Sequence, residues 1–172
     1  MNSVRVRAIA YLATAALAMS SLAGCASTAT PHSSQSGDTC TGVRVIVSFD
    51  VLNATAIDAC APADAGEMTV ADALAEIGVT TEGTADYGDA VVCRVNGLPS
   101  ADAPITISGH EAYAETCASM PPEFAYWALW VKSPAGSWDY ASEGVSTQLV
   151  HPGDSVGLMF SSDGATPMPD AP

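Results

Sequence analysis

The spacing of its five cysteines constrains the fold of this 172-residue chain more than any other feature of its sequence. The first cysteine closes an apolar leader, and the other four stand well apart: Cys40, Cys60, Cys93 and Cys117. A zinc site needs closely paired ligands such as C-x-x-C, and the sequence has no such pair. If the chain is exported to an oxidising compartment, these four cysteines therefore predict two disulfides.

Four cysteines allow three connectivities, and the sequence alone does not choose among them. We favour Cys40 with Cys60, which would close the ends of an early hairpin. The remaining pair, Cys93 with Cys117, would then tie a loop back to a strand. Each bond would close a loop of about 20 to 25 residues, which the chain-entropy model values at roughly 3 kcal/mol.

Residues 1–24 carry the features of an export leader. Two arginines precede an apolar run that is shorter than the roughly 20 residues needed to span a bilayer. The sequence Leu22-Ala23-Gly24-Cys25 then matches a bacterial lipobox, in which the cysteine is acylated and the chain is cut just before it. We predict a lipoprotein signal peptide over 1–24 and a lipid anchor on Cys25 at the extracellular face of the cell membrane. The alternative is a plain secretory leader whose cut site happens to precede a cysteine.

Composition divides the rest of the chain into a tether, one domain and a tail. Residues 25–39 are rich in Ser, Thr and Ala, which predicts a flexible tether. Residues 161–172 contain three prolines and predict a disordered tail, so the folded domain is expected over 40–160. The net charge of −14, from 19 Asp+Glu against 5 Lys+Arg, argues against nucleic acid as a partner, because phosphate binding needs clustered cations.

Hydrophobic periodicity predicts an α+β fold. Valines alternate with polar residues over 43–51, as in a strand with one buried face. Thr69 and Asp72 have the spacing of a capping box, and Gly78 supplies a stop, so a short helix is expected between them. Further strands are expected over 54–60, 90–95, 105–107, 126–131, 138–140 and 155–160. One helix among several strands predicts a mixed or antiparallel sheet.

Recognisable catalytic chemistry is absent from the sequence. The histidines, His32, His110 and His151, form none of the paired motifs that bind zinc. No serine nucleophile motif or phosphate-binding loop is present, and the carboxylates are scattered. We therefore predict a protein that is not an enzyme and that uses neither a metal nor another cofactor.

Aromatic residues cluster in one block, in which all three tryptophans lie between positions 126 and 140. On a strand, Tyr126 and Trp130 would share one face while Trp127 would lie on the other. Trp138 or Tyr140 could join the first pair across a hairpin. One interpretation is core and cross-strand packing. The other is a flat ligand stacked on exposed rings, for which Tyr126, Trp130, Trp138 and Tyr140 are the predicted contacts.

The segments TVADALAEIG, YGDAVVCRVNGLPS and YWALWVKSPAGSWDYASEGVSTQLVHPGDSVGLMF carry a family resemblance. Together they span roughly 43–160 and resemble the small C-terminal domain of transcobalamin and intrinsic factor, especially its bacterial secreted relatives. The resemblance implies a β-grasp-like (ubiquitin-like) mixed sheet with one short helix. In the animal carriers this domain closes over one side of the corrin ring.

The sequence and the resemblance together predict a lipid-anchored extracellular binding module. It would capture or present a corrinoid (cobalamin-like) or other small ligand, with an uptake system or another envelope protein as its partner. Two alternatives remain open. The domain could be a surface protein-interaction module that uses the same rings, or a small protease inhibitor that presents the loop over 117–121 as a rigid segment.

Overall fold

The structure is a computed structural model that describes residues 40–64, 66–165 and 167–169. The predicted signal peptide, the predicted lipidation site Cys25 and the predicted tether over 25–39 lie outside the described residues. Within the described ranges, no helix combines the length and the apolar character needed to cross a membrane.

The described chain forms a mixed α+β structure, as the sequence pattern predicts. Its helices are the short 3-10 helix Asp50–Leu52 and α1 (Val70–Glu76). Its strands are β1 (Val43–Ser48), β2 (Ile57–Ala61), β3 (Met68–Thr69), β4 (Thr81–Thr84), β5 (Gly88–Val95), β6 (Ala125–Lys132), β7 (Asp139–Tyr140), β8 (Leu149–Val150) and β9 (Ser155–Ser162).

Five strands form a mixed central sheet in the order β2-β1-β9-β6-β7. The neighbours β1 and β9 are parallel, while β1 with β2, β9 with β6 and β6 with β7 are antiparallel. Two-stranded ladders of β3 with β8 and of β4 with β5 lie outside this sheet. The central sheet therefore joins the first and last long strands of the domain at its middle.

Helix α1 begins and ends where the sequence predicts. The Thr69 hydroxyl accepts a hydrogen bond from the Asp72 backbone N–H at 3.1 Å, and the Asp72 carboxylate accepts one from the Thr69 N–H at 3.4 Å. This reciprocal pair is a capping box. Gly78 has a φ of +76°, a left-handed conformation that glycine adopts without strain. The helix buries Val70 and Leu74.

Alternation along the strands gives the central sheet two different faces. We call the face that carries Val43, Val45 and Val47 of β1 the inner face, and these three side chains are fully buried in the main core. Trp127 of β6 and Phe160 of β9 belong to the same core. Most of the buried apolar surface, and with it most of the hydrophobic stabilisation, therefore lies on the inner face.

Two disulfides close the fold with the connectivity that the sequence analysis favours. Cys40 is bonded to Cys60 of β2, and Cys93 of β5 is bonded to Cys117. The Glu82 carboxylate lies within 4.8 Å of both sulfur atoms of the second bond, a grouping that resembles a metal site. The two sulfur atoms are bonded to each other, however, and a disulfide does not offer the thiolates that bind a metal.

The structure differs from the sequence predictions at several element boundaries. The polar stretch before β5 contains β4, which forms a bulged hairpin with β5. The brief strand expected over 105–107 is only a single bridge between Ile105 and Tyr113. The last strand continues two residues past its predicted end, to Ser162, and Pro169 is buried. The described part of the predicted tail is therefore partly packed.

Candidate functional site

One edge of strand β6 is open along half of its length. Strand β7 pairs with β6 only at Trp130 and Val131, and the Ala141 N–H donates to the Leu129 carbonyl at 2.9 Å. Alternate residues of a strand direct their backbone groups to the same side, so the backbone of Trp127 is directed to this same edge. Among the described residues, no strand pairs with β6 there.

A groove of about 610 Å³ lies between this open edge and β5. Ligand pockets usually have volumes of about 300 to 1,000 Å³, so the groove is large enough for a small molecule. Residues from β5, β6, β7, β9 and three loops line it: Ala90, Val91, Val92, Met120, Pro121, Glu123, Tyr126, Trp127, Ala128, Leu129, Tyr140, Ala141, Glu143, Gly144, Val145, Leu158 and Gly164.

The groove combines an apolar wall with a few polar groups. Most of the lining is aliphatic or aromatic, and its polar side chains are two tyrosines and two glutamates. The hydroxyl oxygens of Tyr126 and Tyr140 lie 3.4 Å apart. The carboxylates are those of Glu123 and Glu143, and the described lining contains no Lys, Arg or His. Such a groove suits a neutral or cationic ligand that has an apolar body and hydrogen-bond donors.

The four predicted contact residues lie together at the β6–β7 hairpin but have different surroundings. Tyr126 and Tyr140 line the groove, and 51% of Tyr140 is exposed. Trp130 is only 7% exposed, and the Tyr140 ring stacks on it with the ring centroids 4.1 Å apart and the planes at 24°. Trp138 is partly buried, with the Lys132 ammonium 5.6 Å from its ring centroid. Neither tryptophan lines the groove.

The two tryptophans belong instead to a small apolar cluster on the face of the sheet opposite the main core. We call this group the outer cluster, and its members are Ile46, Tyr126, Ala128, Trp130, Trp138 and Met159. The indole N–H groups of Trp130 and Trp138 are buried and have no hydrogen-bond partner in the described structure. Buried donors are nearly always paired, so these two N–H groups are unusual and mark this face of the sheet.

Several lining residues were not identified as site residues from the sequence. Val92 lies on β5, Glu123 lies in the loop before β6, and Glu143 lies after β7. They are brought together only because β5 folds back beside β6. No local motif marks any of them, so a sequence pattern could not have found them.

A buried polar network holds the loop that precedes β6. The Arg94 guanidinium donates to the Pro99 carbonyl at 2.9 Å, to the Glu115 carbonyl at 2.6 Å and to the Glu82 carboxylate at 2.8 Å. The Glu115 carboxylate is buried in turn, and it accepts from the Cys117 N–H at 2.6 Å and from the Tyr113 hydroxyl at 2.7 Å.

This network also changes the acidity of one member. Burial, and then the hydrogen bond to Glu115, raise the pKa of Tyr113 well above its usual range. Tyr113 therefore stays protonated and continues to donate to Glu115 at any physiological pH.

The chain matches no family model, no curated protein and no solved structure.

Proposed function

We propose that this domain is a binding module without catalytic activity, and that the groove at the open edge of β6 holds a small ligand. The observation that carries this proposal is the apolar groove of about 610 Å³ with the paired hydroxyls of Tyr126 and Tyr140 at its side. Small-molecule sites typically combine an apolar wall with a few placed polar groups.

More specifically, we propose that the ligand is a corrinoid, which is either cobalamin or a related molecule. This part of the proposal rests on the resemblance to the C-terminal domain of transcobalamin and intrinsic factor, which implies a β-grasp-like fold. The order β2-β1-β9-β6, with the first and last strands parallel at its middle, is consistent with that fold. The amide side chains of a corrinoid would supply donors to the carboxylates of Glu123 and Glu143.

The cellular part of the proposal follows from the leader. A chain lipidated at Cys25 would be held at the extracellular face of the cell membrane, and residues 25–39 would give the domain room to move. From that position it would capture the ligand and present it to an uptake system. The acidic surface would keep the domain away from anionic lipid headgroups.

Titration of the full chain with cobalamin and cobinamide tests the corrinoid proposal. We expect tryptophan fluorescence to change on binding, and Tyr140→Ala to weaken binding by roughly two- to tenfold because a stacked aromatic contact is worth about 0.5–1.5 kcal/mol. The matched control is Tyr87→Ala. The exposed fraction of Tyr87, 50%, is nearly the same as that of Tyr140, but Tyr87 does not line the groove. If neither corrinoid changes fluorescence or melting temperature at millimolar concentration, the corrinoid proposal is wrong.

A second candidate function is protein interaction. The open edge of β6 can accept an extended peptide by strand addition, which is a common mode of peptide recognition. A pull-down from an envelope extract that recovers a partner, together with slowed hydrogen exchange of the Trp127 backbone N–H in the complex, would favour this function over small-ligand binding, since strand addition pairs the N–H that is directed to the edge.

The protease-inhibitor alternative rests on the loop after Cys117. Residues Ala118 to Met120 are exposed, and Met120 is 60% exposed. The Cys93–Cys117 bond holds this loop, together with hydrogen bonds from the N–H groups of Ala85 and Asp86. A rigid exposed loop of this kind could occupy a protease cleft with little loss of entropy. Failure to slow any subtilisin-type protease would exclude this function.

A further inference from the structure

Pro169 is seated on the outer face of the central sheet, directly over Gly157 of β9. Pro169 is buried, although Pro167 is exposed and Met168 is 58% exposed. A Cβ atom placed on Gly157 would overlap the Pro169 ring. The proline ring therefore occupies the space that a side chain would fill at any other residue of the strand.

The place where Pro169 sits is apolar and aromatic. Gly157 pairs with Ile46 of β1 on one side and with Trp130 of β6 on the other. Both neighbours belong to the outer cluster, as does Met159, two residues further along β9 on the same face. The absent side chain at Gly157 thus leaves a shallow notch in an apolar face, and the notch has a tryptophan at its side.

A notch of this kind favours proline for physical reasons. Proline adds an apolar ring, brings no backbone N–H that would need a partner on this face, and loses little entropy when it is fixed. Aromatic surfaces formed by Trp and Tyr are the usual binding surfaces for proline-rich extended segments. Of residues 167–169 only Pro169 is buried, so Pro169 is the residue of this segment that the outer face contacts most.

We propose that the outer cluster and Gly157 form a recognition surface for a proline in an extended segment, and that residues 167–169 of this chain are its resident occupant. The segment covers apolar surface that would otherwise face water. A second proline-containing segment would have to displace it, so the occupant also controls access to Trp130. This proposal does not depend on the ligand proposed for the groove.

The first experiment tests whether residues 167–169 are seated on the outer face. The full chain is prepared with 5-fluorotryptophan at all three tryptophans, so fluorine NMR gives one signal for each indole, and single Trp→Phe variants assign these signals. Pro169→Gly empties the notch and Gly157→Ala fills it. We expect both variants to shift the signals of Trp130 and Trp138 and to leave that of Trp127, on the inner face, unchanged. Met168→Ala is the matched control, because Met168 is exposed, and it should shift none.

The second experiment tests recognition with a free peptide of sequence ATPMPDAP, residues 165–172 of this chain. The peptide should restore the wild-type signals of the Pro169→Gly chain. The wild-type chain should need at least roughly tenfold more peptide, because its own segment competes at an effective concentration in the millimolar range. The peptide ATPMGDAP and the double variant Gly157→Ala/Pro169→Gly should show no response.

Three results would overturn the proposal. Unchanged fluorine signals in both Pro169→Gly and Gly157→Ala would mean that the segment is not seated. Shifted signals that saturating peptide fails to restore would mean that the face does not recognise proline. A wild-type chain that sediments as a dimer, together with a monomeric Pro169→Gly variant, would mean that the occupant comes from a second copy.

Discussion

Trp127 and Trp130 lie three residues apart on strand β6 and are equally buried, with 7% of each exposed, yet they meet different environments. Trp127 makes edge contacts to Phe49 and Phe160 at centroid distances of 5.4 and 5.3 Å, and its indole donates to the Leu98 carbonyl at 3.3 Å. Trp130 stacks under Tyr140, and its indole N–H has no partner within the described structure. Equal burial therefore does not mean equal surroundings. The two tryptophans differ in whether the indole N–H has a hydrogen-bond partner among the described residues.

The largest expected effect is that of removing the inner ring. Trp127→Ala should lower the free energy of unfolding by about 3–5 kcal/mol, because it opens a cavity in the main core and removes two ring contacts. Trp138→Ala, on the outer face, should lower the free energy of unfolding by clearly less. Urea denaturation of both variants measures the difference in the free energy of unfolding, and equal losses would contradict the conclusion that the inner face contributes more to stability than the outer face.

A smaller change isolates the indole nitrogen. Trp127→Phe should destabilise the domain by about 0.5–1.5 kcal/mol, because the Leu98 carbonyl loses one of its two donors and keeps the Val95 N–H at 2.8 Å. Trp130→Phe removes an unpaired buried donor and should be closer to neutral. Both substitutions delete similar volume, so a comparison of their denaturation midpoints isolates the hydrogen bond. A greater loss in Trp130→Phe would indicate that this N–H has a partner after all.

An ion pair on the outer face should contribute still less to the free energy of unfolding. The Arg44 guanidinium donates to both carboxylate oxygens of Asp58, at 3.0 and 2.7 Å, and this contact raises the pKa of Arg44. Asp58→Asn should cost at most about 1 kcal/mol, since such partly exposed pairs are weak. The cost should shrink in 1 M salt because the charges are screened. A cost that does not change with salt would point to packing instead of charge.

The last effect is a pH dependence that appears only in alkaline solution, and it concerns Tyr113, whose ring packs at the border of the main core. Its pKa is raised by burial and by Glu115, so the protonated form is favoured by folding. The resulting stability is fully present below the unfolded pKa of about 10 and is lost as the pH rises above that value. Thermal melts from pH 8 to 11 should show this loss in the wild-type chain and a weaker slope in Tyr113→Phe. Parallel curves would exclude Tyr113 as the cause.

Local signals in the sequence were sufficient to predict the elements whose formation depends on neighbouring residues. The alternation in β1, the capping box at Thr69, the stop at Gly78 and the turn at Asn96-Gly97, both with positive φ, are all present. The two disulfides join the predicted cysteines. Each of these features is fixed by side chains close in sequence or by a small set of possible partners.

The candidate site could be predicted only in part. The alternation in β6 correctly separated Tyr126 and Trp130 from Trp127. It could not foretell that Tyr140 would cover Trp130, or that only the two tyrosines would reach the groove. Those facts depend on how far β7 pairs along β6, and residues 126–140 do not encode that by themselves.

By itself, then, the sequence determined the α+β class, the helix caps, the turns and which face of each strand is apolar, because these follow from backbone preferences and periodicity. Only the tertiary structure decided that β5 stands beside the open edge of β6 to form a groove, and that Pro169 fills the notch at Gly157. Contacts between segments distant in the chain create both features. Their free energy depends on the shape of the assembled surfaces, which no local pattern specifies.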